Sequence, residues 1–80
     1  MKLKKVARKF TVRIFDSSGH STVIMHPDTF YRTAFEKMEN DRFFAFDREN
    51  RKIYKNYYEL MLDKHKLSGD FVLFPAVTGG

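Results

Sequence analysis

The chain has no cysteine. That removes disulfides, thiolate metal ligands and thiol nucleophiles together, so the fold must be held by side-chain burial and hydrogen bonds alone. No apolar run approaches the roughly 20 residues of a membrane-spanning helix, and the first nine positions have a basic start without the apolar stretch of a signal peptide. A soluble, cytoplasmic protein is therefore expected. Acidic residues are missing from those same nine positions, where Lys2, Lys4, Lys5, Arg8 and Lys9 stand. The net charge of +5 is thus the property of a basic arm, and the rest of the chain balances ten basic against ten acidic side chains. A nucleic-acid binder usually spreads its Lys and Arg over the folded binding face, so this balance argues against that class.

What is present is enough for one small domain. Eighty residues leave no room for a second core, and a chain of that size buries only about 60% of the surface its unfolded form exposes. With 42% hydrophobic, 31% charged and 16% aromatic residues it is too apolar to be disordered and carries no fibrous bias. Residues 1–9 are read as the arm, 10–75 as the folded domain and 76–80 as a tail.

Phe10, Val12 and Ile14 alternate with Thr11, Arg13 and Phe15, which is the period of a half-buried strand. Lys2 and Lys4 around Leu3 extend the same alternation into the arm. Asp16-Ser17-Ser18-Gly19 reads as a turn, with Gly19 supplying a positive φ. Ser21 to Met25 is the returning strand of a hairpin slightly longer than the tightest type, closed by Pro27. Phe30, Ala34, Phe35 and Met38 then fall on one face of a helix, with Asp28 as its N-terminal cap and an end near Asn40. Phe43-Phe44-Ala45-Phe46 is expected as a strand apolar on both faces, followed by a polar turn, Asp47 to Asn50, and a short strand at Lys52 to Tyr54. Tyr57 to His65 is open between a short helix and an edge strand. Ser68-Gly69-Asp70 turns the chain into Phe71-Val72-Leu73-Phe74, expected to be a strand buried on both faces and ended by Pro75.

The histidines, His20, His26 and His65, have no paired spacing typical of a zinc site, and Ser17, Ser18 and Ser21 are explained by turn chemistry. No metal site and no catalytic group within the chain is expected. Tyr54, Tyr57 and Tyr58 suit either a partner surface or partial core burial. Arg42-Phe43-Phe44-Ala45-Phe46 is similar to the central strand of an RNA-recognition domain, in which aromatics stack on bases. It lacks the glycine after the basic residue, and two strands precede the helix. The plainer expectation is that these phenylalanines fill the core and flank a covered sheet.

Gly79 and Gly80 stand after the buried strand and its proline, where they cannot help the fold. A terminal glycine pair is either a frayed end or a thin segment without Cβ atoms that a narrow channel admits. The last fourteen residues, Leu67-Ser68-Gly69-Asp70-Phe71-Val72-Leu73-Phe74-Pro75-Ala76-Val77-Thr78-Gly79-Gly80, resemble the ending of the MoaD and ThiS sulfur carriers. In MoaD a Gly-Asp turn leads into an apolar strand, then Phe-Pro-Pro-Val, a small residue and Gly-Gly. Ala76 stands for the second proline and Thr78 for the usual alanine. The segment from Tyr54 to Lys66 is longer and more aromatic than in that family, and the basic arm departs from its acidic habit.

The resemblance implies an α+β, ubiquitin-like β-grasp: a mixed sheet of four to five strands on one main helix, with first and last strands adjacent and parallel. It also implies a sulfur carrier that is not itself an enzyme. Gly80 would be adenylated by a partner adenylyltransferase of the ubiquitin-activating type, using ATP and magnesium, and a sulfur donor would convert it to a thiocarboxylate. Gly79 and Thr78 would thread the channel, and Phe74, Pro75, Ala76 and Val77 would form the partner interface. The Phe-Pro ending tilts the reading toward a MoaD-like small subunit of molybdopterin synthase, with the large subunit of that enzyme as partner. The alternative is a ubiquitin-like modifier conjugated through Gly80, and a third reading is an RNA-binding domain.

Overall fold

A computed structural model describes residues 9–76. The elements are β1 (Phe10–Asp16), β2 (Gly19–Met25), α1 (Pro27–Phe35) continuing into a π-helical turn (Glu36–Asn40), β3 (Phe43–Asp47), β4 (Lys52–Tyr54), α2 (Tyr57–Leu62) with a 3₁₀ turn (Lys64–Lys66), and β5 (Asp70–Pro75). The strands form one mixed sheet in the order β2-β1-β5-β3-β4. β1 and β5 are parallel, with Thr11 opposite Asp70 and Ile14 opposite Leu73, and every other neighbouring pair is antiparallel. This α+β architecture agrees with the expected strand count, main helix and adjacent parallel end strands.

One face of the sheet carries the core. Phe10 and Val12 of β1, Phe71 and Leu73 of β5, Phe43 and Ala45 of β3 and Tyr54 of β4 pack against Phe30, Ala34 and Met38 of the long helix and Leu60 of α2. The rings of Phe10, Phe30 and Phe71 form its centre, with centroids 4.7 to 6.0 Å apart. Full burial of such a ring contributes about 2–3 kcal/mol relative to exposure. The three rings together contribute an amount comparable with the net stability of a small domain, about 5–15 kcal/mol.

Several expectations change. The hairpin is tighter than expected: pairing continues to Asp16 opposite Gly19, leaving Ser17-Ser18 as a two-residue connection. Gly19 has φ +122, and Asp16 Oδ1 accepts from the Ser18 N–H at 2.9 Å and the Ser18 hydroxyl at 2.7 Å. These bonds, the hydroxyl first, hold the Asp16 carboxyl below its ordinary value. Asp28 is not the helix cap. Pro27 opens the helix and His26 takes the cap position without a side-chain bond, because proline has a pre-set φ and no N–H to satisfy. Asp28 lies in the first turn, where it still complements the helix dipole. At the other end Asn40 closes the π turn but is not the left-handed residue; Arg42 adopts φ +60.

The two strands expected to be covered on both faces are not. Phe71 and Leu73 are fully buried while Val72 and Phe74 are half-buried, and Phe43 and Ala45 are buried while Phe44 and Phe46 are half-buried. The helices contribute their buried side chains to one side only, so the aromatics of β3 are divided between core and open face. Tyr57 to His65 resolves as helix: Asn56 Oδ1 accepts from the Glu59 N–H at 2.8 Å, a cap that an edge strand would not need. Tyr54 is core, Tyr57 is half-buried against Phe35, and only Tyr58 is well exposed. The proposed strand extension at Lys2 to Lys4 lies outside the described residues.

Asp47 overturns its sequence assignment most clearly. It is the last residue of β3, fully buried, and not part of the turn. Its carboxylate accepts from the Asn50 N–H at 3.2 Å, Asn50 Nδ2 at 2.9 Å, the Ser68 N–H at 3.0 Å and the Ser68 hydroxyl at 2.5 Å. Asn50 Nδ2 also donates to the Lys66 carbonyl at 2.9 Å. Replacing this carboxylate leaves part-buried main-chain donors in both segments without their acceptor. Asp47→Ala should lower unfolding stability by on the order of 3 kcal/mol; a loss below about 1 kcal/mol in urea titration would show that the anchor is dispensable.

Candidate functional site

The candidate site is the exit of β5. Gly69 (φ +97) immediately precedes the strand, and its carbonyl accepts from the Thr11 N–H at 2.8 Å. Main-chain groups alternate sides along a strand. Gly69, Phe71, Leu73 and Pro75 therefore share the orientation toward β1. Pro75 has no N–H for the next bond of that ladder, and pairing with β1 ends at Leu73. On the other side the ladder with β3 reaches Pro75 opposite Phe43, and the Ala76 N–H donates to the Arg42 carbonyl at 2.9 Å. The chain leaves the sheet held on one side only. Arg42 takes its left-handed conformation where the helical turn passes into β3, and so presents that carbonyl.

Beside this exit lies a groove of about 480 Å³ lined by Met38, Glu39, Arg42, Phe44, Lys55, Asn56 and Ala76. Glu39 Oε2 accepts from the Tyr57 N–H at 3.0 Å, tying the π turn to the start of α2. Glu59 Oε1 accepts from the Lys55 N–H at 3.3 Å. The walls are thus set by main-chain contacts, and Arg42 and Lys55 give the groove two cations against one acid.

Of the residues expected at the site, Phe74 is half-buried on the open face with its ring edge-on to Phe44 at 5.9 Å. Pro75 is exposed at the strand end, and Ala76 lines the groove. Val77, Thr78, Gly79 and Gly80 lie outside the described residues. Lys55 and Asn56 were not among the sequence candidates, and Arg42 entered only as the basic residue before the aromatic run of β3. The available signal was only their position at element ends; their meeting depends on how β3, β4 and the helical turn converge.

A second polar cluster surrounds Asp63, beside a shallow hollow of about 270 Å³ lined by Asn50, Lys52, Tyr54, Asp63 and Lys66. Asp63 Oδ2 accepts from Lys52 Nζ at 2.8 Å and from the Tyr54 hydroxyl at 2.7 Å. The Lys52 bond and then the Tyr54 bond hold the Asp63 carboxyl below its ordinary value, whereas burial and then the bond to Asp63 push the Tyr54 hydroxyl up. A carboxyl held below its ordinary value is a weak base and a phenol pushed up is a weak acid, so the pair is poorly matched to proton transfer near neutrality. The cluster braces β4 against the end of α2. Among the described residues no three His, Asp or Glu side chains are grouped as metal ligands, and no helix is long and apolar enough to cross a membrane.

The topology also separates the chain from an RNA-recognition domain, since both hairpin strands precede the helix. No family model, curated protein or solved structure matches the chain.

A carboxyl held below its ordinary value adds stability that is complete above that value and disappears as the pH falls through the lowered one. Asp63→Asn should therefore flatten the decline of the thermal midpoint between about pH 5 and pH 2. An acid limb as steep as that of the parent protein would remove Asp63 from the acid-sensitive groups.

Proposed function

We propose that this protein is a sulfur carrier of the ubiquitin-like β-grasp type, acting through a carboxylate at Gly80. The strand order, the parallel pairing of β1 with β5 and the main helix on one face support the β-grasp reading. The observation that carries the functional reading is that β5, in the interior of the sheet, ends at Pro75, shortly before Gly79 and Gly80 in the sequence. Pro75 frees that exit from β1, and Ala76 holds it by a bond to Arg42. A strand whose end is fixed at the surface suits delivery of the residues that follow it in sequence, the last two without side chains, into a narrow active site.

In this reading the chemistry belongs to partners in the cytoplasm. A Gly80 carboxylate oxygen attacks the α-phosphorus of ATP on a magnesium-dependent adenylyltransferase, and pyrophosphate leaves. A hydrosulfide-level sulfur released by the donor then attacks the acyl carbon of the adenylate, the acyl–phosphate bond breaks, AMP leaves and the sulfur's proton is lost, which gives the thiocarboxylate. Carboxylates are poor electrophiles, so adenylation supplies the leaving group that the sulfur step needs. Phe74, Pro75, Ala76 and Val77 are the anchor beside the tail, Thr78 and Gly79 thread the channel, and the carrier supplies no catalytic group. The Phe-Pro ending favours a MoaD-like role beside a molybdopterin synthase large subunit. A ubiquitin-like modifier uses the same tail and activation but ends in an amide to a target lysine.

Intact mass of the protein purified from its native cell separates these outcomes. A fraction heavier by the replacement of one oxygen with sulfur, located at Gly80, is expected and should vanish when Gly80 is deleted. Conjugates through Gly80 without that species would establish the modifier instead, and the absence of both would overturn the proposal.

A further inference from the structure

We propose that β2 is a self-association edge through which two copies of the chain join antiparallel into one continuous sheet. The inference is independent of the sulfur-carrier reading. Because the Thr11 N–H is spent on Gly69, the Thr11 and Ile24 pair has its main-chain groups directed away from each other. Ile24, and by alternation Thr22 and His20, therefore point their N–H and C=O groups outward from the sheet. Along β2 these groups have no partner strand among the described residues, since β2 is the edge of the sheet.

Edge strands are normally protected by charge, proline, a bulge or brevity. None of these protects β2. It has seven residues in unbroken register with β1, and Gly19 through Ile24 are exposed. It also lies within Ser17 to Pro27, the longest stretch of the sequence without Asp, Glu, Lys or Arg, in a chain that is 31% charged. The opposite edge is different: β4 has three residues, includes Lys52 bound to Asp63, and runs into α2. One edge is blunted and the other is open, which favours a closed pair over a filament.

The occupant that this edge fits is a second β2. With Thr22 on a two-fold axis, Thr22 faces Thr22 of the other copy, while His20 and Ile24 face each other reciprocally. All three are outward-bonding residues, so each outward N–H meets an outward C=O. No like charges meet across the axis, and Ile24, which is 65% exposed, gains cover. The two β5 strands, each separated from the contact by its own β1, then run in opposite directions. An edge-only contact falls in the small-interface class, so the pair should be weak and concentration-dependent.

Sedimentation of the full chain over a wide concentration range should show monomer and dimer in reversible exchange. Thr22→Lys places two ammonium groups together on the axis and should raise the dimer dissociation constant at least about tenfold, with the monomer's NMR spectrum preserved. In the parent protein, hydrogen-exchange protection of the His20, Thr22 and Ile24 amides should rise with concentration. Monomer at every concentration, a dimer indifferent to Thr22→Lys, or unchanging exchange at these amides would each overturn the proposal. A folding defect in Thr22→Lys would leave the exchange measurement on the parent protein as the deciding result.

Discussion

The carboxylate of Asp47 binds together segments that the chain keeps well apart. It ends β3, caps the turn through Asn50, and reaches across to Ser68, whose hydroxyl also accepts from the Asp70 N–H at 3.1 Å. The start of β5 is thereby set against the end of β3, and the Arg48 N–H donates to the Asp70 carbonyl at 2.9 Å beside it. A charged group stays buried when enough donors replace its water shell, and Asp47 has four. The register of β5, and with it the place where the tail leaves the sheet, follows from this contact.

From that anchor the sheet is asymmetric in two senses. Across its thickness, one face is packed by helices and the other is left with half-buried Phe44, Phe46, Val72 and Phe74 and a bridged ion set, in which Asp70 stands 3.5 Å from both Arg13 and Arg48. Along its width, the β4 edge is short and braced by Asp63, whereas the β2 edge is long and uncharged. The exit of β5 and the open edge of β2 thus occupy different parts of the molecule. β5 lies in the middle of the sheet, and β2 lies at its border.

Much of the element order was legible because its signals are local. The alternation in Phe10 to Phe15, the helical spacing from Phe30 to Met38 and the glycines at positions 19 and 69 each depend on neighbours a few residues away. The Asp47 assignment failed for the converse reason. An aspartate followed by Arg48, Glu49 and Asn50 has the composition of a turn, and only Ser68, distant in the chain, makes its burial favourable. Asp28 stands in the first turn rather than at the cap, because Pro27 has the stronger geometric preference for the first helical position. Lys55 and Asn56 were missed at the groove because they are ordinary polar residues until β3, β4 and the helical turn bring them beside Ala76.

By itself the sequence determined the N-terminal hairpin, the main helix, the three later strands and the gathering of basic residues in the first nine positions, since periodicity and charge are written along the chain, while the kind of element over Tyr57 to His65 stayed open. Only the tertiary structure decided which phenylalanines face the helices, which strand is left as an open edge, and how Pro75 and Arg42 shape the exit. Those properties are set by which strands become neighbours, and neighbours in a sheet are chosen by burial and hydrogen bonding between residues far apart in sequence.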